Sequence, residues 1–301
     1  ADELTADEIA AKVNGHARGL VPLWATHLTA FVDVQAKALF WLVAAWGDDF
    51  IGAVVDYGTE PEQRSAYFTL REIRRTLATA APRAGLEGAI YAGLERRMQA
   101  LLGREWRRED GAQLRIDRCL VDANWGSSTD VVYQFCRQSR YAGLVLPAHG
   151  RYVGASSIPF SEYKRKRGDR VGLNWRIPLL TGKRAVRHVL FDANYWKTFC
   201  RARLAVPLGD PGCLSLFGRQ PEQHQLLAEH LVSEYCVKTT GRGRTVDEWK
   251  LRQDGTDNHW WDCLVGAAVA ASVLGVTLFG TDAPPTKRKR VRWSELQRAK
   301  R

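Results

Sequence analysis

"LTAFVDVQAKALFWLVAAWG", residues 28–47, is an apolar run that meets a carboxylate at Asp33, breaks, and resumes. Residues 28–34 alternate loosely and end in "FVDVQ", the pattern of a strand. Residues 38–46, "ALFWLVAAW", form a second apolar strand. "GDDF" reads as a turn, and "IGAVVDYG" follows as a third strand. Links this short join antiparallel neighbours, because a parallel connection needs about a dozen residues or more. The stretch predicts an antiparallel meander of three strands, with an acid where the first strand enters the core.

Downstream, the periodicity changes. "PEQRSAYFTLREIRRTLATA" (61–80) and "GLEGAIYAGLERRMQALLG" (85–103) read as amphipathic helices. "AQLRIDRCLVDANWG" (112–126) is a strand running into a glycine turn, and "SSTDVVYQFCRQS" (127–139) is a helix with a polar start. "GLVLPAHG" (143–150) is a further strand. Helices are predicted over 194–206, 222–236 and 258–275, and a strand and turn over 246–255. A meander followed by strand–helix–strand units describes an α/β fold, a mixed sheet with helices on its faces. The organisation read from this is a lead-in over 1–24 and one domain over 25–280. That domain carries a basic insertion at about 151–190, and a basic tail follows over 281–301.

The 301 residues suffice for one large domain. The formal charge is +11, from 44 basic and 33 acidic residues. "PPTKRKRVRWSELQRAKR" (284–301) holds eight basic residues and one acidic, a net +7. The remainder has 36 basic against 32 acidic, a mild +4. An anionic partner is implied, of which nucleic acid is the commonest. The six cysteines show no CxxC and no metal-ligand spacing, so they read as reduced thiols of an intracellular protein. The start, "ADELTADEIAAKVNG", has no signal-peptide pattern. Residues 263–280 carry no charge, which by length permits a membrane span. The run is rich in Ala and Gly, breaks at Gly275 and follows "DGTDNHWWD". It reads instead as a buried core helix, with no membrane contact.

Three acids interrupt apolar surroundings. Asp33 lies in "AFVDVQ", Asp122 ends "RIDRCLVD" before a glycine turn, and Asp262 lies in "HWWDCL". An unpaired ionised carboxylate there costs several kcal/mol. Mg²⁺ or Mn²⁺ compensates it directly, because both take oxygen ligands and few protein carboxylates. Acids on a first strand, at the end of a fourth and on a late helix are the arrangement of ribonuclease H-like nucleases. Each acid also has a structural alternative: a buried Lys or Arg partner for Asp33, a helix cap for Asp122, and a favourable helix dipole for Asp262. Asp257 and His259 flank the third acid; His259 stands one turn before it, so the two read as further candidate metal ligands, with packing or a DNA contact as the alternative for His259. Asp56 reads as a turn residue and Asp117 as a bystander.

The meander with "VVDYG", then "RIDRCLVDANWGSSTDVVYQFCR", then "DGTDNHWWDCLVGAAVAA" resembles the nuclease domain of tailed-bacteriophage terminase large subunits, of the lambda-like packaging type. The similarity runs from about 25 to 275. It places the family's three acidic motifs on Asp33, on Asp122 with Gly126, and on Asp262. The resemblance implies a ribonuclease H-like fold and cutting of double-stranded DNA during viral genome packaging, with two divalent ions, Mg²⁺ or Mn²⁺. It further implies a terminase small subunit and a procapsid portal as partners, and the host cytoplasm as location. The family's ATPase motif GxxxxGK[ST] is not in these residues. The expectation is that the motor belongs to a longer protein or to a separate product.

Two basic elements remain. Lys164, Arg165, Lys166, Arg167, Arg170, Lys183 and Arg184 lie in the insertion and read either as a solvated loop or as an arm tracking phosphates. The tail reads as a DNA- or portal-docking element. Competing readings are a DNA-binding or docking module on a nuclease-like fold, and a resolvase- or integrase-like nuclease.

Overall fold

The computed structural model describes residues 3–180, 186–254 and 256–278. A short helix, α1 (Ala6–Ala10), opens the chain with Thr5 and Glu8 closing a capping box. The meander follows as β1 (His27–Val34), β2 (Leu39–Trp46) and β3 (Gly52–Glu60). β1 and β2 pair without interruption from His27–Trp46 to Val34–Leu39. β2 and β3 pair across a bulge at Val43/Ala44. Next come α2 (Leu77–Ala80), α3 (Gly85–Leu102) and the small hairpin β4 (Trp106–Arg107) and β5 (Gln113–Leu114). The strand–helix–strand unit is β6 (Arg118–Asp122), α4 (Gly126–Gln138) and β7 (Val145–Arg151). The insertion forms β8 (Arg170–Gly172) and β9 (Trp175–Ile177), then β10 (Val189–Asp192) and α5 (Ala193–Ala205). β11 (Leu214–Leu216), α6 (Gln225–Leu231), β12 (Glu234–Gly241), β13 (Arg244–Leu251) and α7 (His259–Leu274) complete the described chain.

Among the described residues, nine strands make one mixed sheet in the order β11-β3-β2-β1-β6-β7-β10-β9-β8. β6 runs parallel to β1, β7 to β6, and β10 to β7. β3 runs in the same direction as β1, because both are antiparallel to β2. The C-terminal ends of β1, β3, β6, β7 and β10 therefore share one edge of the sheet.

The central strands are buried on both faces, so their sequences read as nearly continuous apolar runs. Phe31, Phe40, Leu42, Trp46 and Leu120 face one core layer, built with α5, α6 and α7. Val32, Leu39, Val43, Cys119 and Val121 face the other, against Ile90, Leu94 and Met98 of α3 and Val132 and Phe135 of α4. α7 approaches β1 at backbone distance: a Cβ on Gly266 would fall 1.9 Å from the Phe31 ring. The Thr29 hydroxyl donates to the Ala267 carbonyl at 2.8 Å and accepts from the Trp46 indole at 2.8 Å, which fixes the register of helix on strand. No helix among the described residues is long and apolar enough to cross a membrane.

Two helix expectations are corrected. Only Leu77–Ala80 of residues 61–80 is helical. The rest is an irregular strap of bends and a turn, and side chains from inside and outside it bond its backbone. The Leu70 N–H donates to Asp257, and the Arg71 and Arg75 carbonyls accept from Lys37 and Gln63. Ile73 is buried and Phe68 and Leu70 pack on the core, so tertiary bonds override helix propensity. Residues 222–236 form a helix only to Leu231; the chain then enters the β12–β13 hairpin at Glu234. Asp56 lies inside β3, not in a turn, and pairs with Arg18 at 2.6 Å. Asp117 accepts the Leu28 N–H at 2.8 Å, a purely structural role. The predicted tail, 281–301, lies outside the described residues.

Candidate active site

Asp33 is the penultimate residue of β1 and Asp122 the last of β6. The parallel register pairs Val32 with Val121, so one step on brings Asp33 beside Asp122 at adjacent strand ends. Alternation decides the face. Phe31 and Leu120, two residues before each acid, point into the layer that holds α7. Both carboxylates project toward that same side.

α7 supplies the third acid. It runs antiparallel to β1, since His259 meets Asp33 while Ala267 meets Thr29. Its first turn thus sits at the strand ends, and that turn carries Asp262. His259 Nδ1 donates to Asp33 Oδ2 at 2.7 Å, and Gln35 Nε2 bonds both Asp33 oxygens at 3.1 and 3.2 Å. Asp33 and His259 are buried, whereas the Asp262 side chain is 40 % exposed. The cluster is closed at its base and open at its rim, as access for a substrate requires.

Asp122 accepts the Asn124 N–H at 3.2 Å, and among the described residues no ion pair involves it. It does not cap α4, whose N-terminus has no side-chain cap. Burial, followed by the charges of Asp33 and Asp262, pushes its pKa up to about 8. Asp262 is also raised, by burial first and then by Glu234 and Asp33, against the opposing charge of Lys197. Lys197 Nζ lies 3.1 Å from Asp262 and 2.7 Å from Glu234. Asn258 Nδ2 donates to both acids, at 2.8 Å to Glu234 and 3.3 Å to Asp262. Burial disfavours the Lys197 ammonium, but the two carboxylates outweigh it and raise its pKa. The His259 pKa also rises: burial opposes it, and the Asp33 bond and charge, then Asp257 and Asp262, overcome it.

Among the described residues, no group of three or more His, Cys, Asp and Glu stands in an arrangement that could hold a metal ion. Asp262 is turned to the Lys197 ammonium and Asp33 to the His259 imidazole, so two of the three acids already have a protein partner. The donor set is nevertheless hard carboxylate oxygen, the chemistry of Mg²⁺ and Mn²⁺ sites, and Asp122 has no cationic partner here.

The sequence-selected residues divide into two groups. Asp33, Asp122, Asp262 and His259 come together. Asp257 stands behind His259, 3.8 Å from its Nε2, and accepts the Leu70 N–H at 2.6 Å. The basic insertion lies elsewhere. β9 is antiparallel to β10 and β8 to β9, which puts Arg170 and the loop before it at the opposite edge of the sheet. Arg170 donates to the Val273 carbonyl near the far end of α7. That is eleven residues from Asp262, about 16 Å along the helix. Lys164, Arg165, Lys166 and Arg167 precede it on an exposed loop, and Lys183 and Arg184 lie outside the described residues. Gln35, Lys197, Glu234 and Asn258 escaped the sequence reading. Lys197 and Glu234 sat within predicted helices, where a charged residue carries no special signal.

No curated protein and no solved structure matches the chain. The family model of the terminase large subunit gpA endonuclease domain matches residues 1–283. An acid on each of two adjacent parallel strand ends, with a third on the helix that covers them, is the setting in which that match falls, and the chain belongs to this family of packaging endonucleases.

Proposed function

We propose that this chain is a metal-dependent endonuclease that cuts double-stranded DNA during viral genome packaging, with Asp33, Asp122 and Asp262 as its catalytic acids. The observation that carries this reading is the placement of Asp33 and Asp122 one step beyond the Val32–Val121 pair, at adjacent strand ends under the helix turn that bears Asp262. The strand order β3-β2-β1-β6-β7, antiparallel and then parallel, supports a ribonuclease H-like fold. Family membership supports the nuclease activity.

Asp33, Asp122 and Asp262 would hold two divalent cations, Mg²⁺ or Mn²⁺. When bound, two such ions would stabilise the charge on the attacking and leaving oxygens of a phosphodiester displacement. The chain's own residues do the positioning. His259 and Gln35 lock the Asp33 carboxyl, the Asn124 backbone orients Asp122, and Asn258 steers Asp262. Lys197 holds Asp262 in the present arrangement, and Glu234 would keep the ammonium in place if Asp262 were to bind a metal ion. Asp257 braces His259 from behind. Family membership supports DNA as substrate and packaging proteins as partners; the partners proposed are duplex DNA, a terminase small subunit and a procapsid portal, in the host cytoplasm.

The test uses supercoiled plasmid with Mg²⁺ or Mn²⁺, with and without chelator. The expected result is nicking and linearisation that the chelator stops, and that Asp33→Asn, Asp122→Asn or Asp262→Asn each reduces by at least about a hundredfold. Cutting that survives chelation, or that survives all three substitutions, overturns the assignment. Cutting only at a junction substrate would favour the resolvase-like reading.

A further inference from the structure

The basic insertion is remote from the acids, so the DNA backbone needs another cationic surface beside them. The strap over residues 61–76 has the required position. It leaves β3 at Glu60, which pairs with Leu39, and Leu39 pairs with Val34 of β1. It therefore starts on the sheet edge that carries Asp33 and Asp122. Two independent chains of contact then tie it to Asp33. One runs from Asp33 to His259, to Asp257, and to the Leu70 N–H. The other runs along the backbone from Asp33 to Lys37, whose ammonium donates to the Arg71 carbonyl at 2.7 Å and whose carbonyl accepts the Leu77 N–H at 2.8 Å.

The strap is anchored inward and charged outward. Ile73 is buried and Phe68 packs against Phe40 and Trp260, while Arg64, Arg71, Arg74 and Arg75 are exposed. Within 61–76 these four arginines outnumber the acids Glu62 and Glu72. Arg75 is used internally, donating to the Glu62 carbonyl. Among the described residues no ion pair involves Arg64, Arg71 or Arg74. Exposed guanidinium groups on a fixed backbone, with no carboxylate to satisfy them, suit phosphate oxygens.

We infer that the 61–76 strap is the phosphate-binding rail of this protein, with Arg64, Arg71 and Arg74 gripping the duplex backbone next to the catalytic acids. The inference rests on the endonuclease reading and adds the surface that presents the substrate. Backbone contacts position a duplex without reading its sequence, so the rail is sequence-tolerant.

The experiment compares the full chain with two triple variants of equal charge loss. One is Arg64→Gln, Arg71→Gln and Arg74→Gln. The other is Lys164→Gln, Lys166→Gln and Arg167→Gln, on the opposite edge. Duplex binding is measured in chelator from 50 to 200 mM salt, and cutting is measured in parallel with Mn²⁺. The strap variant is expected to lose between about tenfold and several hundredfold in affinity at 0.1 M salt. It should also flatten the log–log salt slope by up to about 0.9 per lost contact. The loss should be equal across DNA sequences, with an unchanged thermal midpoint. The opposite-edge variant should keep the larger share of both binding and cutting. If the unsubstituted chain binds and cuts while the strap variant matches it, the rail is refuted and the nuclease reading stands. If the strap variant loses no more than the opposite-edge variant, position beside the acids is irrelevant, and the rail is equally refuted. If the unsubstituted chain neither binds nor cuts, the nuclease reading falls and takes the rail with it.

Discussion

At the scale of single residues, the site is an exercise in opposing charges. Asp33 has a histidine and a glutamine, and Asp262 has a lysine shared with Glu234. Asp122 has backbone N–H donors and, among the described residues, no cationic partner, and its pKa rises to about 8 because burial and two neighbouring acids disfavour its charge. The consequence for stability has a definite sign. The unfolded carboxyl titrates near about 4. Below that pH both states are protonated and the group contributes nothing. Between about 4 and 8 the folded state keeps a proton that the unfolded state has lost, so stability falls as pH rises through this window. Metal-free protein is therefore expected to lose stability from pH 4 toward pH 8 through this group. Asp122→Asn should remove that part of the slope. Urea unfolding in chelator at several pH values measures it, and equal slopes in the two proteins would contradict the raised pKa.

At the scale of elements, one helix positions half of the site. α7 can carry His259 and Asp262 to the strand ends only because its small residues let it lie directly on β1. Gly266 is the closest point: a methyl there meets the Phe31 ring at 1.9 Å, a distance neither partner can keep. Gly266→Ala would gain helix propensity, worth about 1 kcal/mol, yet force the helix outward. Overpacking of this kind typically costs about 1–3 kcal/mol. A net loss in stability is expected, read as a lower urea midpoint. A drop in cutting should accompany it, because the shift moves Asp262 and His259 relative to Asp33. Unchanged stability with unchanged cutting would show that α7 can slide without consequence. The strap over 61–76 is the opposite kind of element, held by side-chain bonds from Lys37 and Asp257 outside it and from Gln63 within it instead of by regular pairing.

At the scale of the whole molecule, charge is distributed unevenly. The last eighteen residues hold +7 of the +11, and the body carries the rest. Removing residues 284–301 is expected to weaken nonspecific DNA binding at low salt, whatever else that segment binds. At about 0.15 M salt, charges farther than roughly 8 Å from the DNA are screened. Cutting by the truncated chain at that salt should match the full chain if the strap supplies the working contacts. Loss of cutting at that salt would assign the tail to the substrate groove.

The meander, the helices over 85–103, 127–139 and 258–275, and the isolation of Asp33, Asp122 and Asp262 in apolar segments are legible in the chain itself. Local signals suffice there: apolar runs broken by "GDDF", a helical period, and carboxylates isolated in apolar surroundings. Those features depend on neighbours a few residues away. The 61–80 segment was misread as a helix because its spacing is helical while its backbone partners, Lys37 and Asp257, are distant in sequence. Lys197, Glu234 and Asn258 were invisible for the same reason. Each is an ordinary polar residue until the fold packs α5, β12 and the start of α7 together. The basic insertion shows the limit from the other side. Its charge could be counted from the sequence, but its place on the far edge followed only from the order and direction of β8, β9 and β10. Composition sets how much charge a chain carries, and strand pairing over long sequence separations decides which charges meet.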